Sequence, residues 1–257
     1  MPSCSGTSTV YDMSVDWEDD GTFTGPHDDV TDDILSSGVT VEYGREQGRQ
    51  LSPGSVGSAG MILCNASRLY SPESPDSPIA ADIGPARPVR FQVVHAGTTY
   101  PLLNGRIDDF TLRADYTNRS ADITALDGLS LLQGLDITTE VLVAQRTGQI
   151  IDRILDAVGW TAPRDLDPGA THPRYWWADG EDAFDALQQV VRSEGPPAIA
   201  YVAPDGTFMF RDRHHRLLDA ASLTSQATYS AGSFGECCTT SGYGEGGYGE
   251  CGYGGSP

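Results

Sequence analysis

The 257-residue chain contains no lysine: all 16 of its basic residues are arginines, against 36 aspartates and glutamates. Its formal net charge is therefore −20 at pH 7. Binding to the phosphates of nucleic acid or to an anionic membrane surface requires clustered cations. The composition therefore argues against both kinds of partner, whereas a net charge of this size favours solubility.

Long apolar runs and a cysteine framework are also absent. No run approaches the roughly 20 apolar residues needed to cross a bilayer, so the sequence predicts no membrane span. Residues 1–9 have neither the charged nor the apolar part of a secretory signal. The 5 cysteines are too few for a disulfide framework in a chain of this length. We expect the protein to be made and folded in a reducing cytosol.

The common catalytic motifs are missing as well. The sequence has no H-E-x-x-H, C-x-x-C, P-loop or G-x-S-x-G. A G-x-G-x-x-G begins at Gly242, but no strand precedes it and no helix follows it, so it does not predict a dinucleotide site. The acidic pairs Asp108–Asp109 and Glu181–Asp182 could support glycoside hydrolysis only if their carboxylates had the separation that this reaction needs, which sequence spacing does not show. In a chain with 36 acidic residues such pairs also arise by chance. We predict no catalytic residue, cofactor or metal site.

Residues 1–135 have the pattern of a β-rich domain. In "VYDMSVDW" the side chains of Tyr11, Met13, Val15 and Trp17 alternate with polar residues, which predicts a half-buried strand. "VTVEY", "MILC", "VRFQVV" and "ADITAL" repeat the signal, and proline-rich turns separate them. The predicted fold is an antiparallel β-barrel or sandwich with Trp17 in its core.

Residues 136–216 predict a smaller α+β module. A helical stripe runs through "TGQIIDRILDAVGW", with Thr147 as the predicted N-cap, Gly159 just after the helix and Trp160 in the core. A second helix is predicted from Asp179, as its cap, to Glu194. The stretch "AIAYVAPDGTFMFRDR" predicts a hairpin that turns at residues 204–206.

Residues 217–257 differ from both regions. A five-residue repeat places Tyr243, Tyr248 and Tyr253 in a glycine-rich background. Ordering so much glycine is entropically costly, so we predict a linker and a flexible tail. If the tail binds a partner, these three tyrosines are its predicted anchors.

Two further features permit more than one interpretation. Trp176 and Trp177 in "YWWADG" are either a platform for a sugar or protein partner or a packing element beneath the following helix. In "VDWEDDGTF" the acids Asp16, Glu18 and Asp20 resemble part of a calcium loop. The twelfth position of such a loop would be His27, which is not a carboxylate. We therefore predict a hairpin tip that turns at Asp20–Gly21.

The ordered series of short motifs resembles minor tail proteins of long-tailed bacteriophages that infect actinobacteria. "VDWEDDGTF", "DDVTDDIL", "VEYGREQGRQ", "AGMILCN", "RLYSPESPDSPIA", "IGPARPVRF", "YPLLNGRIDDF" and "DITALDGLSLL" resemble the N-terminal part of these proteins. "GQIIDRILDAVGW", "DAFDALQQVV" and "YVAPDGTFMF" resemble the next module. The resemblance covers about residues 10–216 and depends on the order of the motifs.

The resemblance implies a structural component of the virion, at the tail tip or baseplate hub. Such hubs form rings, of which a trimer is the first expectation and a hexamer the second. The implied partners are copies of the chain and other tail proteins, namely the tail tube, distal tail, tape measure and fibres. Acidic side chains lining such a ring would repel DNA that passes through it. The alternatives are a receptor- or cell-wall-binding adhesin and, third, a tail-associated glycan hydrolase.

Overall fold

The structure is a computed structural model that describes residues 9–43, 54–114 and 119–225, with the backbone alone at 36–38 and 114. Its contacts divide the chain into two units, Met1–His215 and Arg216–Pro257. Every strand that the structure describes lies in the first unit, together with two long helices. The predicted domain boundaries at residues 135 and 216 remain predictions.

A six-stranded antiparallel sheet, curled into a half-barrel, forms the first part of this unit. Its strands are β1 Thr9–Val15, β2 Ile34–Glu42, β3 Ser58–Cys64, β4 Pro88–His95, β5 Thr98–Ala114 and β6 Arg119–Asp127. They lie in the order β1-β4-β5-β6-β3-β2. The prediction of a mainly β, antiparallel fold is confirmed.

The inner face of this sheet supplies the first core. Trp17 is fully buried, packs against Tyr70 with the rings tilted and their centroids 5.9 Å apart, and meets Phe110 edge-on at 6.5 Å. Its indole nitrogen donates a 3.0 Å hydrogen bond to the carbonyl of His27. The prediction that Trp17 is a core residue is therefore confirmed.

The second half of β1 is buried on both faces, unlike the predicted half-buried strand. Ser14 and Asp16 are only 4% and 1% exposed, although they alternate with the core residues Met13 and Val15. The cause is residues 16–28, a loop that returns along the strand through a bridge between Ser14 and Asp29. The sequence alternation predicted that Tyr11 points into the core. Tyr11 is instead exposed, because the core does not extend to the first half of β1.

The rest of the first unit combines short strands with two helices. The strands are β7 Asp136–Thr138, β8 Leu142–Val143, β9 Arg164–Leu166, β10 Tyr175–Trp176, β11 Asp179–Asp182, β12 Ile199–Val202 and β13 Phe208–Arg211. The helices are α1 Thr147–Ala157 and α2 Ala183–Glu194. The short segments α3 His215–Leu218 and α4 Ala220–Leu223 follow. None of the described helices is long and apolar enough to span a membrane.

The second core is built between these helices and strands. Its buried residues include Trp160, which packs edge-on against Phe208 with the centroids 5.5 Å apart. The predicted hairpin is confirmed: β12 pairs with β13, and Gly206 has the positive φ of 89° that its turn requires. The two-residue strands β8 and β10 were not predicted because they are too short to show a period.

Both predicted helices exist, but their starting points differ from the prediction. The N-cap of α1 is Arg146 rather than Thr147, and its amide donates to the side chain of Gln149 at 3.0 Å. Gly159 follows α1 with a φ of 72°, as predicted. The cap of α2 is Asp182 rather than Asp179, because Asp179–Asp182 pairs with β7 as a strand.

A buried carboxylate joins the end of α2 to the start of α1. Glu194 has no exposed surface and accepts hydrogen bonds from the Thr147 hydroxyl at 2.6 Å and from the amides of Ala170 and Thr171, both at 2.9 Å. Burial alone would raise the pKa of this carboxyl, but the three hydrogen bonds outweigh it and hold the pKa below its ordinary value. Thr147 is therefore bonded to this carboxylate instead of capping its own helix.

Candidate partner-binding surface

The tryptophan pair of "YWWADG" divides between the core and the surface. Tyr175 and Trp176 form β10, which pairs antiparallel with β8 so that Trp176 lies opposite Leu142. Both of these side chains are 8% exposed and belong to the second core. Trp177 is 55% exposed, because successive residues of a strand point to opposite faces.

Four exposed side chains lie on or beside this ribbon. Val143 lies opposite Tyr175, and Val141 and Trp177 adjoin the last pair of the ribbon, Leu142 and Trp176. All four are more than half exposed. The guanidinium of Arg174 lies 5.6 Å from the centre of the Tyr175 ring. We call Val141, Val143, Tyr175 and Trp177 the ribbon patch; contiguous exposed apolar groups of this kind are typical of interaction sites.

The sequence prediction contained only part of this surface. Trp176 belongs to the core, so of the two tryptophans only Trp177 remains a predicted partner-binding residue. Val141, Val143 and Tyr175 were missed, although "VLV" and "YWW" show the exposed–buried–exposed alternation once they are aligned. The other predicted anchors, Tyr243, Tyr248 and Tyr253, lie outside the described residues.

One edge of the six-stranded sheet is partly open. The outward amides of Met13 and Val15 donate to Thr31 Oγ1 and to the Asp28 carbonyl, both from the segment that follows the loop of residues 16–28. Alternation places the Tyr11 amide on the same side, and no described residue accepts a hydrogen bond from it. The first half of β1 is therefore an edge that can pair with another chain.

The acidic stretch stabilises its own loop. The carboxylate of Asp16 accepts hydrogen bonds from the amides of Asp20 and Gly21 at 3.2 and 2.9 Å. Gly21 has a φ of 81°, so a bend does occur there. The predicted hairpin tip is wrong in extent, because the chain reverses through residues 16–28 rather than through a two-residue turn. Among the described residues, no group of three His, Cys, Asp or Glu side chains is arranged to hold a metal ion.

One residue of each acidic pair has a local structural role. Asp182 accepts hydrogen bonds from the amides of Phe184 and Asp185 at the start of α2, and from the Gly134 amide at 2.7 Å. Asp109 lies next to a bulge in β5, where it accepts from the Phe110 amide and the Thr111 hydroxyl. These contacts account for Asp182 and Asp109 without a catalytic role.

The two tryptophans of the ribbon should respond oppositely to substitution. We expect Trp176→Ala to lower the free energy of unfolding by about 3–5 kcal/mol, because it empties a buried position. Trp177→Ala should change it by less than about 0.5 kcal/mol, because its side chain already faces solvent. Urea unfolding of both variants checks this. A large loss in Trp177→Ala would mean that the ribbon patch is covered in the folded protein.

No family model and no curated protein sequence matches the chain. The chain does resemble solved structures. The 43 kDa tail protein of prophage MuSo2 from Shewanella oneidensis aligns with a TM-score of 0.52 at 13% identity, over 79% of this chain and 53% of that one. The tail protein from Neisseria meningitidis MC58 aligns with a TM-score of 0.47 at 14% identity, over 78% and 50%.

Prophage tail protein gp18 from Listeria monocytogenes EGD-e aligns with a TM-score of 0.47 at 10% identity, over 81% of this chain and 51% of that one. The chain thus spans about half the length of these solved tail proteins. Over 79% of its residues it shares its fold with a prophage tail protein.

Proposed function

We propose that this chain is a structural protein of a bacteriophage tail, located in the virion at the tail tip. Copies of it form a ring or hub that ends the tail tube and connects it to distal or receptor-binding parts. The observation that carries the proposal is the fold shared with the MuSo2 tail protein at a TM-score of 0.52. On the basis of the resemblance, the trimer remains the first choice of stoichiometry and the hexamer the second. The actinobacterial host is proposed on the same basis.

The open half of β1 supports assembly with copies or with other tail proteins. A strand edge with outward amides offers main-chain hydrogen bonds to a neighbouring strand, and strand addition is a common way to join subunits. The net charge of −20 also has a use in a ring, because acidic groups around a channel repel passing DNA. In this role the chain catalyses nothing.

A receptor- or wall-binding adhesin is the second candidate, and the ribbon patch favours it. Exposed Tyr175 and Trp177 rings are suited to stacking on sugars or on a partner's apolar side chains. A glycan hydrolase is the third candidate. The capping role of Asp182 makes it the weakest of the three.

Labelled virions test the leading proposal. A small epitope fused to the chain should place antibody label at the distal end of the tail in electron micrographs. Label on the head, along the tube or nowhere on the particle would contradict a tail-tip location.

Purified chain incubated with host cell walls separates the alternatives. Release of soluble sugars indicates a hydrolase, and retention without release indicates an adhesin. If the chain is an adhesin that binds through the ribbon patch, Trp177→Ala should abolish its retention on the walls while leaving its stability unchanged. If the chain neither releases soluble sugars nor is retained on the walls, the result favours the hub.

A further inference from the structure

A series of five consecutive turns carries the chain from residue 65 to residue 80, between β3 and β4. Each turn is closed by an amide that donates to the carbonyl three residues back, at 3.0–3.3 Å; these amides belong to Arg68, Ser71, Ser74, Ser77 and Ala80. The sequence "SPESPDSP" explains this regularity. It places a proline at the second position of three successive turns, where the fixed φ of proline is favourable.

These turns bury serines and expose prolines. Ser71 and Ser74 are both 4% exposed, whereas Pro72, Pro75 and Pro78 lie on the surface. The two ends of a β-turn are less than about 7 Å apart, and each turn begins where the previous one ends. Successive prolines therefore repeat at less than about 7 Å along an exposed line. We call Pro72, Pro75 and Pro78 the proline ridge.

The aromatic rings of the ribbon patch have a matching spacing. Tyr175 lies in β10 and Trp177 directly follows this strand, and both side chains are more than half exposed. Two residues of extended chain span about 7 Å. Two neighbouring prolines of the proline ridge can therefore each lie on one of these rings. Proline segments that are already held in one conformation bind aromatic surfaces at a low cost in entropy.

The charged residues at the ends of the two surfaces are complementary. Arg68 precedes the proline ridge, 3.8 Å from Glu73, and Asp76 lies near the end of the ridge. Arg174 lies at one end of the ribbon patch, and Glu140 is exposed at the other. Neither Arg174 nor Asp76 has an ion-pair partner among the described residues. If Asp76 meets Arg174, then Arg68 approaches Glu140, so the charges select one direction of docking.

We propose that the proline ridge of one copy of this chain binds the ribbon patch of a second copy. Both surfaces are exposed in the single chain, so they do not cover each other within it. The two surfaces differ, and a contact between different surfaces leaves one of each free on every pair. Repeated contacts of this kind close into a ring when the rotation between copies permits it. The inference rests on the ring of the proposed function and assigns the ribbon patch to a copy rather than to a receptor.

Photo-crosslinking of the full chain tests this contact. The photoreactive residue p-benzoylphenylalanine replaces Val143, which leaves both rings of the ribbon patch in place. Chains that carry it are mixed with isotope-labelled chains, so that mass spectrometry identifies crosslinks between copies. A contact of this size is weak in isolation, so the chains are mixed at about 0.5 mM. We expect the crosslinks between copies to fall within residues 69–80.

The control places p-benzoylphenylalanine at Tyr100. This residue lies in β5 and is 50% exposed, so it is as accessible as Val143 but lies outside the ribbon patch. It should give no crosslinks to residues 69–80.

Substitutions in one chain at a time test which surface each copy contributes. In the chain that carries the crosslinker, Trp177→Ala should reduce the crosslink yield by at least about ten-fold, because an exposed aromatic anchor is lost. In the labelled chain the same substitution should leave the yield unchanged. Replacement of Pro72, Pro75 and Pro78 together by alanine should show the reverse pattern. Pro85→Ala is the control, because this proline is exposed but lies outside the proline ridge. Thermal melts establish that each variant is folded.

A charge reversal tests the direction of docking and leaves the prolines of the turns in place. Asp76→Arg in the labelled chain should lower the crosslink yield, because it places an arginine against Arg174. Arg174→Asp in the chain that carries the crosslinker should then restore the yield.

Two results would overturn the proposal. The first is the absence of crosslinks between copies within residues 69–80. The second is an equal effect of Trp177→Ala in either chain, which would indicate a symmetric contact between two ribbon patches. The labelled virions test the tail location separately. Label at the tail tip without the crosslink rejects this contact alone, whereas the crosslink without label at the tail tip rejects the tail location and supports the contact between copies.

Discussion

Replacing Glu194 with alanine is expected to lower the free energy of unfolding by about 3–5 kcal/mol, because it leaves the Thr147 hydroxyl and the Ala170 and Thr171 amides buried without an acceptor. Small domains are stable by only about 5–15 kcal/mol. The variant should therefore be partly unfolded near physiological temperature, as measured by its thermal and urea transitions.

The position of Glu194 explains why the loss should be so large. A carboxylate at the C-terminal end of α2 is opposed by the dipole of its own helix, but this one lies at the first residue of α1, where negative charge is favourable. Backbone packs closely around the same point: a Cβ on Gly148 would lie 2.0 Å from the Asp167 carbonyl oxygen. The junction cannot collapse to replace the missing contacts.

Two comparisons make this prediction specific. Glu140→Ala removes the same charge from an exposed position and should change stability by less than about 0.5 kcal/mol. Glu194→Gln keeps one acceptor oxygen but turns an amide group toward one donor, so we expect an intermediate loss of about 1–3 kcal/mol. Equal stability of Glu194→Ala and Glu140→Ala would show that the junction carries no net stabilisation.

The same carboxylate predicts a pH dependence. Its pKa is lowered in the folded state, so its stabilisation is present above the unfolded pKa of about 4.3 and is lost as the pH falls through the folded value. The difference in unfolding free energy between wild type and Glu194→Gln should therefore narrow below about pH 4.3. A difference that is constant from pH 7 to pH 3 would contradict the lowered pKa.

Regular alternation allowed most of the sheet to be predicted. β3, β4 and β6 were predicted because their buried and exposed residues alternate without interruption over most of their length. β5, the longest strand, was missed: Pro101 lies at one bulge and Asp109 at another, and each bulge shifts the alternation by one residue.

The candidate surfaces depend on contacts that sequence patterns do not contain. Trp176 and Trp177 have nearly the same local sequence, and only the pairing of β10 with β8 determines which of them is buried. The open part of the β1 edge likewise depends on a distant segment, because Asp28 and Thr31 accept hydrogen bonds from the outward amides of Val15 and Met13. The alternation of apolar and polar residues predicts which side chains share a face of a strand, but not which other part of the chain covers that face.

Loss of the whole chain should have the largest effect of all. If copies form the ring that ends the tail, phage that lack the gene should produce no infectious particles, because the tail tube then has no tip to receive distal parts. Wild-type chain supplied from a plasmid should restore infection. Tyr11→Pro should restore it poorly, because proline removes the outward amide of β1 without affecting its pairing with β4.

Tyr11→Ala is the matched control, because it removes the exposed side chain but keeps the backbone amide. It should restore infection as well as wild type does. If Tyr11→Pro and Tyr11→Ala restore infection equally, the β1 edge is not part of the assembly, and the ring must form through another surface.

Electron microscopy of particles made without the gene tests the central claim most directly. A tail-tip role predicts particles whose tails are absent or end without a normal tip, together with restoration of the tip when wild-type chain is supplied. Complete, infectious tails with a tip of normal shape in the absence of the gene would contradict it.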